Sequence, residues 1–156
     1  MKLYYDEFDS PIGPLLLIVN EDGIALRIDF GTKENIEEKI TKWVNRYFKK
    51  PIFIHDQAKL KEIKEELNAY FIKERQTFTF KYKFYGTHFQ QQVWEALFTI
   101  PYGETKTYKD IAIEINNPKA VRAVGGAVNK NPFSIVAPCH RVIGMNGKMV
   151  GYGGDN

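Results

Sequence analysis

Thr107-Tyr108-Lys109-Asp110-Ile111-Ala112-Ile113-Glu114-Ile115-Asn116-Asn117-Pro118, followed by Lys119-Ala120-Val121-Arg122-Ala123-Val124-Gly125-Gly126-Ala127-Val128, decides the architecture of the second half of this chain. Thr107 with Asp110 three residues on fits a capping box, the reciprocal hydrogen bonding that starts a helix. The helix it opens carries Ile111, Ala112 and Ile115 on one face. Asn116-Asn117-Pro118 stops that helix and starts another, since asparagine is a favoured N-cap and proline suits the first helical position. The second helix is predicted from Lys119 to Val128, and two helices joined so tightly form a helix-turn-helix. An αα-hairpin packed in a core has the same spacing. Gly125 and Gly126 each weaken a helix by about 1 kcal/mol relative to alanine, but small residues also let a backbone come close to another molecule. With Arg122 beside them, nucleic acid is a candidate for that molecule.

Just downstream lies Ile135-Val136-Ala137-Pro138-Cys139-His140-Arg141-Val142-Ile143, which holds the only cysteine of the chain. The segment is too apolar for a solvated loop and too Pro-interrupted for a helix, so the thiol is expected at the rim of a core. Pro138 fixes the approach to Cys139. A thiolate is a strong nucleophile when a neighbouring base or positive field lowers its pKa, and His140 and Arg141 are the nearest such groups. A lone cysteine among Ile, Val and Ala also reads as a small buried hydrophobe.

Composition sets the bounds. With 156 residues, 44% of them hydrophobic, the chain can bury a real core as one compact unit or two small ones. One cysteine allows neither an internal disulfide nor a cysteine-based zinc site, which suggests a reducing, cytoplasmic setting. The opening residues are not a signal peptide, and no apolar run approaches membrane-spanning length. Charge is uneven: residues 1–80 carry 13 Lys and Arg against 14 Asp and Glu, residues 81–156 carry 9 against 5. From Ile115 to Gly154 there is no acidic residue, while Lys119, Arg122, Lys130, Arg141 and Lys148 fall there. Such a stripe attracts phosphates and supports salt-sensitive, largely sequence-independent binding.

The first half reads as a small α/β domain. Leu3 to Phe8, Leu15 to Val19 and Ile24 to Phe30 are predicted strands of an antiparallel meander, separated by turn-forming Ser10-Pro11-Ile12-Gly13-Pro14 and Glu21-Asp22-Gly23. Ile36, Ile40, Val44 and Tyr47 recur at helical spacing, as do Leu60, Ile63, Leu67 and Tyr70. Thr77 to Tyr85 alternates aromatic with polar residues and is predicted as a half-buried strand near the domain boundary. His55 and His88 read as surface or loop residues rather than ligands.

Several motifs together resemble the O6-alkylguanine-DNA alkyltransferases, or methylated-DNA–protein-cysteine methyltransferases. They are Phe89-Gln90-Gln91-Gln92-Val93-Trp94, Ile100-Pro101-Tyr102-Gly103-Glu104-Thr105, Thr107-Tyr108 and Pro118-Lys119-Ala120-Val121-Arg122-Ala123-Val124-Gly125. Asn131-Pro132, Pro138-Cys139-His140-Arg141-Val142-Ile143-Gly144 and Gly151-Tyr152-Gly153-Gly154 continue the pattern. Their order and spacing are specific from about Gln76 to Gly154. The resemblance implies an α/β (α+β) fold: residues 1–80 as a ribonuclease H-like domain with a small antiparallel sheet, and residues 81–156 as a mostly helical domain with a DNA-binding helix-turn-helix.

The resemblance also implies direct-reversal DNA repair. An alkyl group moves irreversibly from O6 of guanine, and by extension O4 of thymine, to Cys139 after the nucleotide is turned out of the duplex. His140 is implied as the base acting through a water, and Tyr108 as the residue that helps rotate the nucleotide and bonds guanine N3. Arg122 fills the gap left by the base, while Lys119, Ala120, Ala123, Gly125 and Gly126 line a minor-groove approach. Asn131, Pro138 and Arg141 organise the site, and Val142, Tyr152 and Gly153 face the flipped guanine. The implied partner is double-stranded DNA bearing O6-alkylguanine, bound by a monomer without cofactor or metal. The setting is cytoplasmic, nucleoid-associated in a prokaryote, with no membrane.

One departure is visible. In the family, a helix beyond Gly-Tyr-x-Gly-Gly supplies a glutamate that orients the histidine, and no residue up to Asn156 matches it. That keeps open an impaired or non-catalytic sensor of alkyl lesions beside the single-turnover transferase. An unrelated helix-turn-helix regulator is the third reading, but it would have no use for the cysteine segment.

Overall fold

The computed structural model describes residues 1–135 and the backbone of Val142–Ile143. Two compact units divide the chain, Met1–Tyr85 and Gly86–Asn156.

In the first unit β1 (Lys2–Ser10), β2 (Gly13–Val19) and β3 (Ala25–Phe30) form the predicted antiparallel meander. After α1 (Glu37–Tyr47) the chain returns as β4 (Ile52–His55), which pairs in parallel with β1. The sheet order is β3-β2-β1-β4, so the sheet is mixed rather than purely antiparallel as expected. Leu15, Leu16, Leu17, Ile18 and Val19 are all buried, as a strand covered on both faces requires. On one face Leu3, Leu16, Ile18 and Leu26 pack against Ile40, Trp43, Val44 and Phe48. α2 (Lys61–Phe71) buries Ile63 and Leu67 and packs against β1.

The strand predicted from Thr77 to Tyr85 reduces to one bridge. Lys81 and Lys83 exchange backbone hydrogen bonds with Ala25, 2.8 and 3.0 Å, around the Ala25–Tyr82 pair. Its aromatic rings pack locally instead, Phe78 on Tyr70 and Phe80, and Tyr82 on Phe84. Period-two alternation here reports an extended chain pinned by aromatic contacts, not a ladder.

Two carboxylates sit inside this unit. Asp29 is fully buried and accepts two hydrogen bonds from Arg27, Nε at 2.7 Å and Nη2 at 2.8 Å, with Lys39 at 3.3 Å. Burial pushes its pKa up, but the Arg27 and Lys39 charges and hydrogen bonds outweigh that and hold it below the ordinary value. Asp6 behaves alike: burial raises it, and bonds from Lys64, His55 (2.7 Å) and the Glu7 amide pull it lower still. His55 is exposed, as a surface residue is expected to be, and it partners Asp6 from the end of β4. Both groups have depressed folded pKa values, so their contribution is complete above the unfolded carboxylate pKa near ~3.9 and is lost as pH falls through the folded values. Urea midpoints measured from pH 7 to pH 3 by tryptophan fluorescence should fall steeply below about pH 4. Asp29→Asn should flatten that fall while lowering stability at pH 7 by about 3–5 kcal/mol, because it leaves Arg27 buried and unpaired.

The second unit is helical: α3 (His88–Phe98), β5 (Lys106–Thr107), α4 (Tyr108–Glu114), α5 (Val121–Asn129) and β6 (Val142–Ile143). Thr87 starts α3 with a full capping box to Gln90. Val93, Trp94, Ala96 and Leu97 bury one face, and the Trp94 indole donates to the Ala127 carbonyl at 2.8 Å, bracing α3 against α5. Among the described residues no helix is long and apolar enough to cross a membrane.

Candidate functional site

Thr107 caps α4 as its sequence requires. Its hydroxyl accepts from the Asp110 amide at 3.0 Å, and Asp110 Oδ2 accepts from the Thr107 amide at 2.9 Å. Tyr108 is thereby fixed as the first helical residue. The helix ends in a Schellman motif: Asn116 takes φ 60°, its amide bonds the Ile113 carbonyl, and the Asn117 amide reaches back to Ala112 at 2.8 Å. That geometry changes the expected start of the next helix. Asn117 accepts from the Ala120 amide in a turn, so Pro118 and Lys119 lie in the connection, Ala120 is the N-cap, and α5 begins at Val121. Both helices of the helix-turn-helix are present, with a longer turn than predicted.

α5 has two distinct faces. Val124, Ala127 and Val128 are buried, while Arg122, Ala123, Gly126, Asn129 and Lys130 are exposed. Helical spacing from Arg122 finds Asn129 and Lys130, which the motif-based set omits. Among the described residues none of Lys119, Arg122 and Lys130 has an ion-pair partner. The outer face is thus cationic at Arg122 and Lys130 and nearly without side chains between them.

The adjacent glycines have different jobs. A Cβ on Gly125 would lie 2.9 Å from Cε2 of Tyr108, so this glycine makes room for the tyrosine ring. A Cβ on Gly126 would meet nothing within 4 Å. Half-buried Tyr108 is held between its own capped helix start and the backbone of α5.

Asn131 is buried just beyond α5. Its Oδ1 accepts from the Phe133 amide at 2.9 Å and its Nδ2 donates to the Phe133 carbonyl at 3.2 Å, an Asx-type clamp on the chain that leads toward Cys139. Phe133, Ser134 and Ile135 follow, all buried. At residue 142 the chain pairs in parallel with β5, Val142 opposite Lys106 and Ile143 opposite Thr107. Ile143 is thereby paired with Thr107, the N-cap of the helix that starts with Tyr108. Pro138, Cys139, His140, Arg141, Tyr152 and Gly153 lie outside the described residues, as does the side chain of Val142. Among the described residues no three His, Cys, Asp or Glu side chains are grouped to hold a metal ion.

Comparison with known proteins accounts for both units. Residues 3–84 match the family model described as 6-O-methylguanine DNA methyltransferase, ribonuclease-like domain, and residues 88–156 the model described as its DNA binding domain. A methylated-DNA–protein-cysteine methyltransferase of Methanosarcina barkeri is 45% identical over 151 residues, covering 96% of this chain and 88% of the relative. One from Mycobacterium bovis is 42% identical over 153 residues, covering 97% and 85%. The solved structure of Mycobacterium tuberculosis OGT in complex with DNA superposes with a TM-score of 0.77 at 38% identity, covering 99% of this chain and 85% of that one. With both units matched in order and relatives above 40% identity along nearly the whole chain, it belongs to the 6-O-methylguanine DNA methyltransferase family.

Proposed function

We propose that this protein is a methylated-DNA–protein-cysteine methyltransferase that repairs DNA by moving an alkyl group from O6 of guanine, or O4 of thymine, onto Cys139. The observation that carries the reading is the outer face of α5: Arg122 and Lys130, without an ion-pair partner among the described residues, stand beside Ala123 and Gly126, with Tyr108 seated behind Gly125. Such a face suits close approach to a minor groove, with Lys119, Ala120 and Lys130 near the phosphates. Arg122 enters the stack where the damaged nucleotide leaves it, and Tyr108 helps rotate that nucleotide and bonds guanine N3. The helix-turn-helix and the cysteine segment both belong to the second unit, which holds the chemistry.

The chemistry is a single displacement. His140, through a water, takes the Cys139 proton; the sulfur attacks the alkyl carbon, the carbon–oxygen bond breaks, and a proton delivered by way of Tyr108 lets guanine leave neutral. Asn131 clamps the approach to the cysteine segment, Pro138 and Arg141 flank it, and Val142, Tyr152 and Gly153 face the base. The thioether formed does not hydrolyse, so each molecule acts once, as a monomer, in the compartment that holds the DNA. The relatives are named for transfer, which leaves the sensor reading with no observation in its favour.

The experiment compares two substrates. Arg122→Ala should slow transfer from an O6-methylguanine duplex by roughly 10- to 100-fold, since holding a nucleotide out of the stack costs a few kcal/mol, and should slow transfer from free O6-benzylguanine far less. Equal loss on both substrates would make Arg122 a structural residue.

A further inference from the structure

The first unit carries a cationic patch that the α4–α5 interface does not use. Arg46 lies in the last turn of α1, Lys49 and Lys50 follow it, and Lys83 lies on the extended stretch that closes the unit. Aromatic rings bring Arg46 and Lys83 together, and Lys49 and Lys50 directly follow Phe48, which packs on the same Tyr85 ring. The Arg46 guanidinium is 5.8 Å from the Tyr47 ring centroid, the Tyr47 and Tyr85 rings are 5.9 Å apart, and the Lys83 ammonium is 5.0 Å from the Tyr85 ring. Tyr85 rests on Phe48 at 4.8 Å and Trp43 at 6.3 Å, so the patch is mounted on the core beneath α1.

All four cations are exposed, and among the described residues none has an ion-pair partner. The sequence supplies the reason: there is no Asp or Glu from Lys39 to His55, nor from Arg75 to Trp94, and these two stretches meet at Tyr85. Residues 1–85 as a whole carry 15 Lys and Arg against 14 Asp and Glu, so the clustering is local. A helix C-terminus favours a cation in its last turn, which accounts for Arg46. It does not account for Lys49, Lys50 and Lys83, and an anion that bridges such cations lowers the repulsion among them.

The form of the patch selects the anion. Cations already lie over the Tyr47 and Tyr85 faces, which disfavours base stacking, and the charges spread along a surface rather than around a point. That suits an extended polyanion, and the family's partner is DNA. We propose that Arg46, Lys49, Lys50 and Lys83 form a second, sequence-independent contact for the phosphodiester backbone of duplex DNA, on the unit that lacks the helix-turn-helix.

The test uses the full chain and undamaged duplex, with affinity measured by fluorescence anisotropy across a salt series. R46Q/K49Q/K50Q/K83Q is compared with K2Q/K59Q/K61Q/K73Q, which removes the same charge from other exposed positions of the unit. The patch variant should make the plot of log K against log salt shallower by about 2, roughly two phosphates at ~0.9 each, while the control keeps the wild-type slope. R46K/K49R/K50R/K83R should also keep it. If the quadruple glutamine variant melts early by circular dichroism, the pairs R46Q/K83Q and K49Q/K50Q should each give about half the change in slope. An unchanged slope, or equal changes in patch and control variants, would overturn the proposal. So would DNA-free self-association of the wild type that the patch variant abolishes, since the occupant would then be a second copy of this chain.

Discussion

Cys139→Ala should show no detectable alkyl transfer while binding duplex DNA within about twofold of wild type, because backbone contacts set affinity and the sulfur makes none. Alanine offers no lone pair to the alkyl carbon, and no other cysteine exists in the chain to replace it. In the proposed reading affinity comes from the outer face of α5, which Trp94, Tyr108 and the capped start of α4 brace. Gel shifts on O6-methylguanine duplex, run beside a transfer assay, read both quantities. Residual transfer by the variant would place the acceptor elsewhere, and a large loss of affinity would mean that the cysteine segment supports the DNA face directly.

The second large effect is expected at Gly125. Valine there would put its Cβ 2.9 Å from the Tyr108 ring, closer than real Cβ contacts come, before its two methyl groups are counted. Overpacking of this kind costs about 1–3 kcal/mol, and the ring must leave its seat to relieve it. The melting temperature should fall by several degrees, and transfer from duplex DNA should drop by about tenfold or more as Tyr108 is displaced. Tyr108→Ala removes the opposing ring, so in a double-mutant cycle the two stability effects should be strongly non-additive. Additive effects would show that the glycine serves helix geometry alone. Gly126→Ala is the contrasting case: with open space around the new methyl it should stabilise α5 by up to ~1 kcal/mol yet weaken DNA binding, if the groove lies against that face. Unchanged affinity would move the DNA contact away from Gly126.

These two glycines mark where the sequence stops being readable. Adjacent glycines in a helix announce a close approach, but which partner each one admits depends on the position of Tyr108, 17 residues earlier in the chain. Local chemistry was legible: the Thr107 capping box forms as its four-residue pattern requires, and the Leu15–Val19 run lies in the centre of its sheet. Asn116-Asn117-Pro118 was only half legible. It ends α4 as expected, but a Schellman motif and an N-cap both favour asparagine, and backbone conformation settles which one forms.

Long-range pairing hid the rest. β4 is four residues long and half exposed at the sheet edge, and its parallel partner β1 lies some fifty residues away, so no local period reveals it. His55 is drawn to Asp6 by that same pairing. The stretch from Thr77 to Tyr85 fails in the opposite direction, since alternation records extended backbone whether or not a neighbouring strand accepts it. For the site, residue types and order pointed to Cys139, Arg122 and Tyr108; the structure adds how Tyr108 and α5 interlock, and the clamp that Asn131 places on the chain toward the cysteine.

Intact-protein and peptide mass spectrometry after incubation with an O6-methylguanine duplex tests the central claim most directly. The expected result is a gain of one methyl group per protein molecule, located on the peptide that contains Cys139, with guanine restored in the DNA and no further turnover. An unmodified protein after the lesion has been repaired, a methyl group on any other residue, or repair that continues beyond one lesion per molecule would contradict it.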